Sequence, residues 1–402
     1  MNALIIPTFI SYFIANTLSL LGTWVLKLCL GWMAWQITES TFWTSLVSLL
    51  IFAPVGMLGP FIAVFAERWD ARHAMLSTKI IMVVISAVVF FIQLLSKHNL
   101  FTLISSSTAL GLLSAFHHPI RLVFISLVVP KPYLASAVGL NSVSWNLSRI
   151  IGPGLAGLTI HGLGLSSTLF IATLLYAPLI VCLYFMTLYP RTNDTATQDG
   201  FFKRMADGAA IALGTPLIFS ALMLVGLNSF FVRGVLEIQP AIVGQLMNGE
   251  SNILALITAA AGLGSLLASC WISLGKLGKF QIMKNLWLMV ILGIITTALL
   301  HTSASLIPVS LIFVTTGFTA TVVGIGAQTV IQLEVEENYR ARVMTWWSTI
   351  SFGSIVLGGT LIGFLGDIFR INHAILFTML VGAGLALYVL SRIRIITNPS
   401  SI

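Results

Sequence analysis

The residues of this chain best able to do chemistry are basic side chains inside long apolar runs. Lys27, Arg149 and Arg233 each fall inside such a run. A charge at the centre of a membrane helix costs at least ~2.5–3.5 kcal/mol, so something must hold it there. Arg149 lies about 14–16 residues into its run, roughly 20–25 Å of helix at 1.5 Å per residue. No carboxylate occurs in the apolar runs of the first half. A guanidinium stays protonated, and its planar fork suits a carboxylate better than an amine. One reading therefore has Arg149 in a wet cavity awaiting an anion. The other satisfies it with backbone carbonyls and with Asn141 and Asn146. The residues expected to contact a ligand are Arg149, Lys27, Asn146 and Arg233. For Lys27, roughly 12 Å inside the outer end of its run, outward snorkelling past Trp32 and Trp35 is the competing reading.

Proton chemistry has fewer candidates. Glu237 follows Arg233 by four residues, so the two share a helix face and can pair. A structural ion pair and an outer gate are both open readings, and a pair desolvated alternately could also carry a proton. His117 and His118 precede Pro119. Histidine titrates near neutral pH, but a packed polar kink beside a proline competes with that role. The sequence contains no HExxH, GxSxG or P-loop pattern. Cys29, Cys182 and Cys270 are far apart and suggest neither a metal site nor a disulfide framework. No enzyme, cofactor or metal is expected.

The elements that must position these side chains follow from composition. The chain is 57% hydrophobic and 8% charged, where ordinary globular chains carry about 25% charged residues. It reads as an all-α membrane protein in a lipid bilayer. Twelve apolar segments can be drawn, at 7–35, 42–66, 74–95, 100–128, 133–160, 166–189, 212–236, 251–273, 282–301, 305–332, 342–366 and 372–391. The first is expected to be a retained helix and not a signal peptide. An even count puts both termini on one side. One set of loops holds Arg68, Arg72, Arg121, Lys131, Arg191, Lys203, Arg204, Lys276, Lys279, Lys284, Arg340 and Arg342, while the other holds little beyond Lys97 and Arg370. The first set, with both termini, is expected in the cytoplasm of a bacterial cell. The net charge of +8 then reflects topology, not nucleic-acid binding.

The polar segment PRTNDTATQDGFFKR, residues 190–204, divides the chain. The expected organisation is a six-helix bundle at 1–189, a cytoplasmic linker at 190–211 and a second six-helix bundle at 212–402. Trp145, Gly157 and Gly164 match Trp347, Gly359 and Gly366 at an offset of 202, and Gly111 matches Gly317 at 206. Two parallel six-helix repeats with substrate bound between them is a transporter plan.

The motifs agree. Gly22-Thr23-Trp24 stands where many relatives carry Gly-Asp-Trp. AERWDARH, between the second and third runs, keeps Glu67-Arg68, Asp70 and Arg72 of a loop signature, with Ala63 and Ala71 replacing its glycine and one basic residue. NSVSWNLSRIIGPGLAG, residues 141–157, resembles the Gly-Pro signature common in exporters, and YRARVM opens the eleventh run. On these residues the chain resembles the major facilitator superfamily, and more narrowly its enterobactin-exporter-like efflux branch. The resemblance implies a monomeric secondary transporter exporting a small organic molecule by alternating access in the bacterial inner membrane. The cargo is expected to be anionic, a siderophore being one case. A broad multidrug exporter and an importer of iron-chelator complexes are the alternatives. It further implies that Glu67, Arg68, Asp70 and Arg72 form a cytoplasmic latch with the start of the eleventh helix, near Arg340 and Arg342, a solvated basic loop that only sets topology being the competing reading.

Overall fold

A computed structural model describes residues 3–66, 70–97, 99–188, 201–247, 251–274, 278–303 and 305–396. Every regular element among them is helical. The first half comprises α1 (Pro7–Thr38), α2 (Thr41–Leu50), α3 (Ala53–Ala66), α4 (Ala71–Leu94), α5 (Leu100–Val128), α6 (Leu134–Leu163), α7 (Leu165–Leu174) and α8 (Ala177–Phe185). The second comprises α9 (Phe201–Gly214), α10 (Pro216–Leu227), a π turn (Asn228–Arg233), α11 (Gly234–Glu237), α12 (Gln239–Met247), α13 (Ser251–Leu274), α14 (Lys279–Ala298), α15 (Leu306–Glu334), α16 (Glu337–Phe369) and α17 (Ile371–Ile396). Ten helical segments among the described residues are long and apolar enough to cross a membrane. The broken pair α2–α3 and the long α6 bring the plan to twelve spans.

Local chemistry sets several boundaries. Asn99 opens α5 with a capping box: its side chain accepts from Thr102 N at 2.9 Å, and Asn99 N donates to Thr102 Oγ1 at 3.2 Å. Gly164, at φ 82°, ends α6 in the left-handed region that glycine tolerates. Two expected elements differ. The second span is not one helix: it turns at Ile51–Phe52, just before Pro54, whose missing N–H suits a helix's first turn. Much of the expected linker is helical, since α9 begins at Phe201.

The chain forms two compact units, one of Met1–Ile37 with Leu50–Asp199 and one of Thr38–Leu49 with Gly200–Ile402. The same close approaches recur inside each. A methyl group added to Gly111 on α5 would fall 2.3 Å from the Leu50 carbonyl oxygen, and one on Gly317 of α15 would fall 2.1 Å from that of Ala261. Gly152 on α6 lies under Trp24, where a methyl would meet Cβ at 2.5 Å, and Gly358 on α16 lies under Phe230, where it would meet the carbonyl oxygen at 1.9 Å. The numbers of Gly111 and Gly317, Gly152 and Gly358, and Trp24 and Phe230 all differ by 206. The contacts therefore pair the sixth and sixteenth helices at 206, one turn away from the offset of 202 read from their tryptophans. The glycine after Pro153 makes no such approach: a methyl on Gly154 would meet nothing within 4 Å.

Within the second unit, α2 is fastened to α16. Asp367 Oδ1 accepts from Thr41 N at 2.6 Å and Thr41 Oγ1 at 2.8 Å, and Oδ2 accepts from Ser40 Oγ at 2.5 Å. A carboxylate at a helix N-terminus meets both free N–H groups and the positive end of the dipole. Gly363 and Gly366 let Thr41 and Ser45 approach the α16 backbone.

Candidate functional site

The polar interior of the first unit is built around cations and aromatic rings. Lys27 on α1 is buried, with Nζ 4.2 Å from the ring centroid of Phe52 and 5.0 Å from that of Trp24. It does not snorkel to water. A desolvated ammonium over rings gains ~2 kcal/mol or more, which offsets part of its burial cost. Trp24 meets Trp145 of α6 edge-on at 5.9 Å. Trp145 in turn carries the Arg121 guanidinium at 5.0 Å and the His118 ring at 5.7 Å. Arg149 follows Trp145 by four residues, so it lies one turn along the same face of α6, and it is half-buried. The side chain of Asn146 lies outside the described residues. Around this row, Thr17 bonds Ser144 at 2.7 Å, and Asn16 Nδ2 donates to Asn141 Oδ1 at 3.4 Å, which seals α1 on α6.

Two further cations belong to this interior and were not expected there. Lys79 on α4 is 1% exposed and Arg121 on α5 is 3% exposed. The loop-charge reading counts Arg121 among the cytoplasmic loops. Instead it points into the unit. The signal in the sequence is the one used for Arg149: a basic residue inside an apolar run with no acid nearby. The first 189 residues contain only Glu39, Glu67 and Asp70 as acids, none within a span. His117 is buried, and its Nδ1 lies 3.1 Å from Thr78 Oγ1, which ties α5 to α4.

In the second unit, Arg233 ends the π turn and donates from Nη1 to Ser351 Oγ on α16 at 3.0 Å. Such turns insert a residue into a helix and are frequent at functional sites. Glu237, one turn on, is half-buried at the end of α11. Lys27 and Arg233 differ by 206, as do Trp145 and Ser351, so the two cations are equivalents in the repeats.

The expected latch residues are engaged locally. Glu67 and Arg68 lie outside the described residues. Asp70 caps α4, accepting from His73 N at 2.9 Å. That bond, with the His73 ring 3.1 Å away, holds the carboxyl below its ordinary range. Arg72 donates from Nε to Leu183 O at 2.7 Å and from Nη2 to Tyr184 O, at the C-terminal end of α8. Arg342 pairs with Asp207 of α9 at 2.5 Å. Trp346 Nε1 donates to Met205 O at 3.1 Å, so α9 is docked on the start of α16. Arg340 is exposed. No group of three or more metal-ligating side chains gathers among the described residues.

Comparison with known proteins decides the family. The description of the major facilitator family named transmembrane secretion effector matches residues 1–400. The chain belongs to this family. Macrolide efflux protein A of Streptococcus pyogenes is 23% identical over 380 residues, covering 91% of each chain. The Staphyloferrin A transporter of Staphylococcus aureus is 21% identical over 278 residues, 69% of each. Among solved structures, a bacterial homologue of the human lysosomal transporter Spinster aligns over 94% of each chain with a TM-score of 0.72 at 13% identity. A POT family transporter crystallised with 5-aminolevulinic acid aligns with the same score at 12% identity, over 97% of this chain and 96% of that one. As a member of the transmembrane secretion effector family, the protein is a multi-pass transporter of small molecules and not an enzyme.

Proposed function

We propose that the protein exports a small organic molecule bearing an anionic group, with Arg149 as its central contact and Lys27, Asn146 and Arg233 as further contacts. The supporting observation is the charge of the first unit. Lys27, Lys79, Arg121 and Arg149 all lie within its helices, and no acid stands within those helices. Arg149 stands about 22 Å from the start of α6, close to mid-depth. Two relatives are named for macrolide efflux and for staphyloferrin transport, which supports a small organic cargo. An enterobactin-exporter-like or siderophore-type cargo is the narrower form of this reading. Glu237, His117 and His118 are the proton-coupling candidates, since no carboxylate stands at position 23.

The same proposal places the chain as a monomer in a bacterial inner membrane with both termini in the cytoplasm, on the bias of its loop charges. Gating is assigned to Glu67, Arg68, Asp70, Arg72, Arg340 and Arg342. The anchoring of Arg72 on α8 supports a rigid end to that latch. Broad multidrug efflux is the second reading. An apolar cavity of about 570 Å³ in the second unit, lined by Phe219, Leu222, Phe230, Trp346 and Ile350, favours it.

The test is transport into proteoliposomes of a carboxylate and its neutral amide on one scaffold. Arg149→Ala is expected to abolish transport of the carboxylate and spare the amide, with Arg149→Lys intermediate because it keeps the charge and loses the fork. Equal treatment of both analogues by wild type and Arg149→Ala would sink the anionic reading.

A further inference from the structure

We propose that Tyr12, Lys79, His117 and Arg121 form a second anion-binding site in the first unit, one that takes a carboxylate or phosphate group. His117 and Arg121 stand one turn apart on α5, His117 Nδ1 lies 3.1 Å from the hydroxyl of Thr78 beside Lys79, and the Tyr12 ring meets that of Phe124, three residues past Arg121, at 5.4 Å. All four members of the site are at most 5% exposed. Among the described residues, Arg121 Nε and Nη1, His117 Nε2 and the Tyr12 hydroxyl have no hydrogen-bond partner. Lys79 Nζ meets weak acceptors, the Met82 sulfur at 3.6 Å and the Tyr176 ring at 5.3 Å.

Each buried polar group left unpaired costs about 1–3 kcal/mol, and more for a charged one. The elements around the cluster offer Trp145, Tyr176, Thr78 and His118, none of them an acid. An oxyanion would accept from the guanidinium, the ammonium, the imidazole and the phenol together, and would balance the charge. Its depth separates it from Arg149. Lys79 is about 12 Å from the start of α4 and Arg121 about 10 Å from the end of α5, whereas Arg149 is about 22 Å into α6. The inference shares the first unit's charge with the transport reading, and the two fail separately because this one is read by binding and that one by flux.

Thermal unfolding of the purified full-length protein, titrated with succinate or inorganic phosphate at ionic strength fixed with chloride, tests it. A saturable rise in Tm is expected. The apparent Kd should weaken by about tenfold or more in Lys79→Met/Arg121→Met and in Arg121→Lys, and stay within about threefold in Lys97→Met, which removes an exposed cation outside the cluster. The double variant is expected to fold, because it removes two buried charges. Arg121→Lys carries the test if it does not. A parallel arm compares micelles doped with phosphatidylglycerol or phosphatidylcholine. A rise with phosphatidylglycerol alone assigns the site to a lipid phosphate and upholds it. No saturable rise with any of these anions would overturn the proposal. So would a rise unchanged in both site variants, or one weakened equally in Lys97→Met.

Discussion

Lys27 and Arg233 hold the same place in the two repeats. Each follows by three residues an aromatic side chain, Trp24 or Phe230, whose helix is packed on a glycine of the partner helix. Their surroundings have diverged: Lys27 lies over two rings, and Arg233 donates to Ser351. A charge-assisted hydrogen bond is worth ~1.5–3 kcal/mol, and a desolvated cation over a ring ~2 kcal/mol or more. Arg233→Met and Lys27→Met should therefore destabilise the protein to within about 1 kcal/mol of each other. Thermal or denaturant unfolding in detergent measures the two, and a gap of several kcal/mol would refute the argument.

Glycines on the spans should divide sharply. A methyl on Gly264 of α13 would lie 1.8 Å from the Val314 carbonyl oxygen, backbone that cannot yield without parting α13 from α15. Gly264→Ala is expected to cost ~3 kcal/mol or more, through overpacking at a helix crossing. Gly154→Ala should be tolerated, and replacing glycine within a helix should even stabilise by ~0.5–1 kcal/mol. Comparison of Tm for the two variants decides it; similar values would mean the crossings are looser than described.

The cap of α4 gives a pH dependence. Asp70 titrates below its ordinary range because of the His73 N–H bond. Its stabilisation is therefore fully present above the ordinary carboxylate range and lost as pH falls through the lowered value. Asp70→Ala should lose ~0.5–1 kcal/mol at pH 7 and lose little relative to wild type in strong acid. Unfolding of both proteins across that range should converge at low pH. A constant gap would show that the cap acts without its charge.

Arg342 and Asp207 tie α9 to α16 in a half-buried pair. A double-mutant cycle with Arg342→Ala and Asp207→Ala should give a coupling of about 1 kcal/mol. Trypsin should also cut faster at Lys203 in the single variants. Unaltered cleavage would mean that the bond from Trp346 to Met205 holds α9 without the ion pair.

Proton coupling is tested at Glu237. In Glu237→Gln the transport rate should lose most of its dependence on pH, while the His117→Gln and His118→Gln profiles keep theirs. An unchanged profile in a robustly transporting Glu237→Gln protein removes the assignment.

Much of the fold was legible because membrane spans are long and uniformly apolar, so α1, α4, α14 and α17 can be drawn within a few residues from hydropathy. The turn at Ile51–Phe52 was not, because both halves of that span are equally apolar and only Pro54 marks the break. The offset of 202 was misleading for a geometric reason. It differs from 206 by four residues, one helical turn, so residues chosen at either spacing share a face. At the site, Arg149 and Lys27 stand out by depth alone. Lys79 and Arg121 carry the same mark, a base inside an apolar run, but lie nearer helix ends, where length also permits snorkelling, so packing decides which way the side chain goes. Asn228, fully buried with neither amide atom partnered among the described residues, carries no mark in the sequence at all.

Helices that hold cations and no acid have an electrical consequence. A working membrane is under voltage, and moving one elementary charge through 100 mV amounts to ~2.3 kcal/mol. Arg121 and Arg149 cannot shed their protons, so any rearrangement that displaces them along the membrane normal displaces charge. Even a tenth of the field per residue amounts to ~0.2 kcal/mol at 100 mV for each. An empty transporter should therefore answer a voltage step with a small transient current that needs no cargo. A bound anion, travelling with the cations, should shrink that current and leave the loaded protein nearly indifferent to the potential.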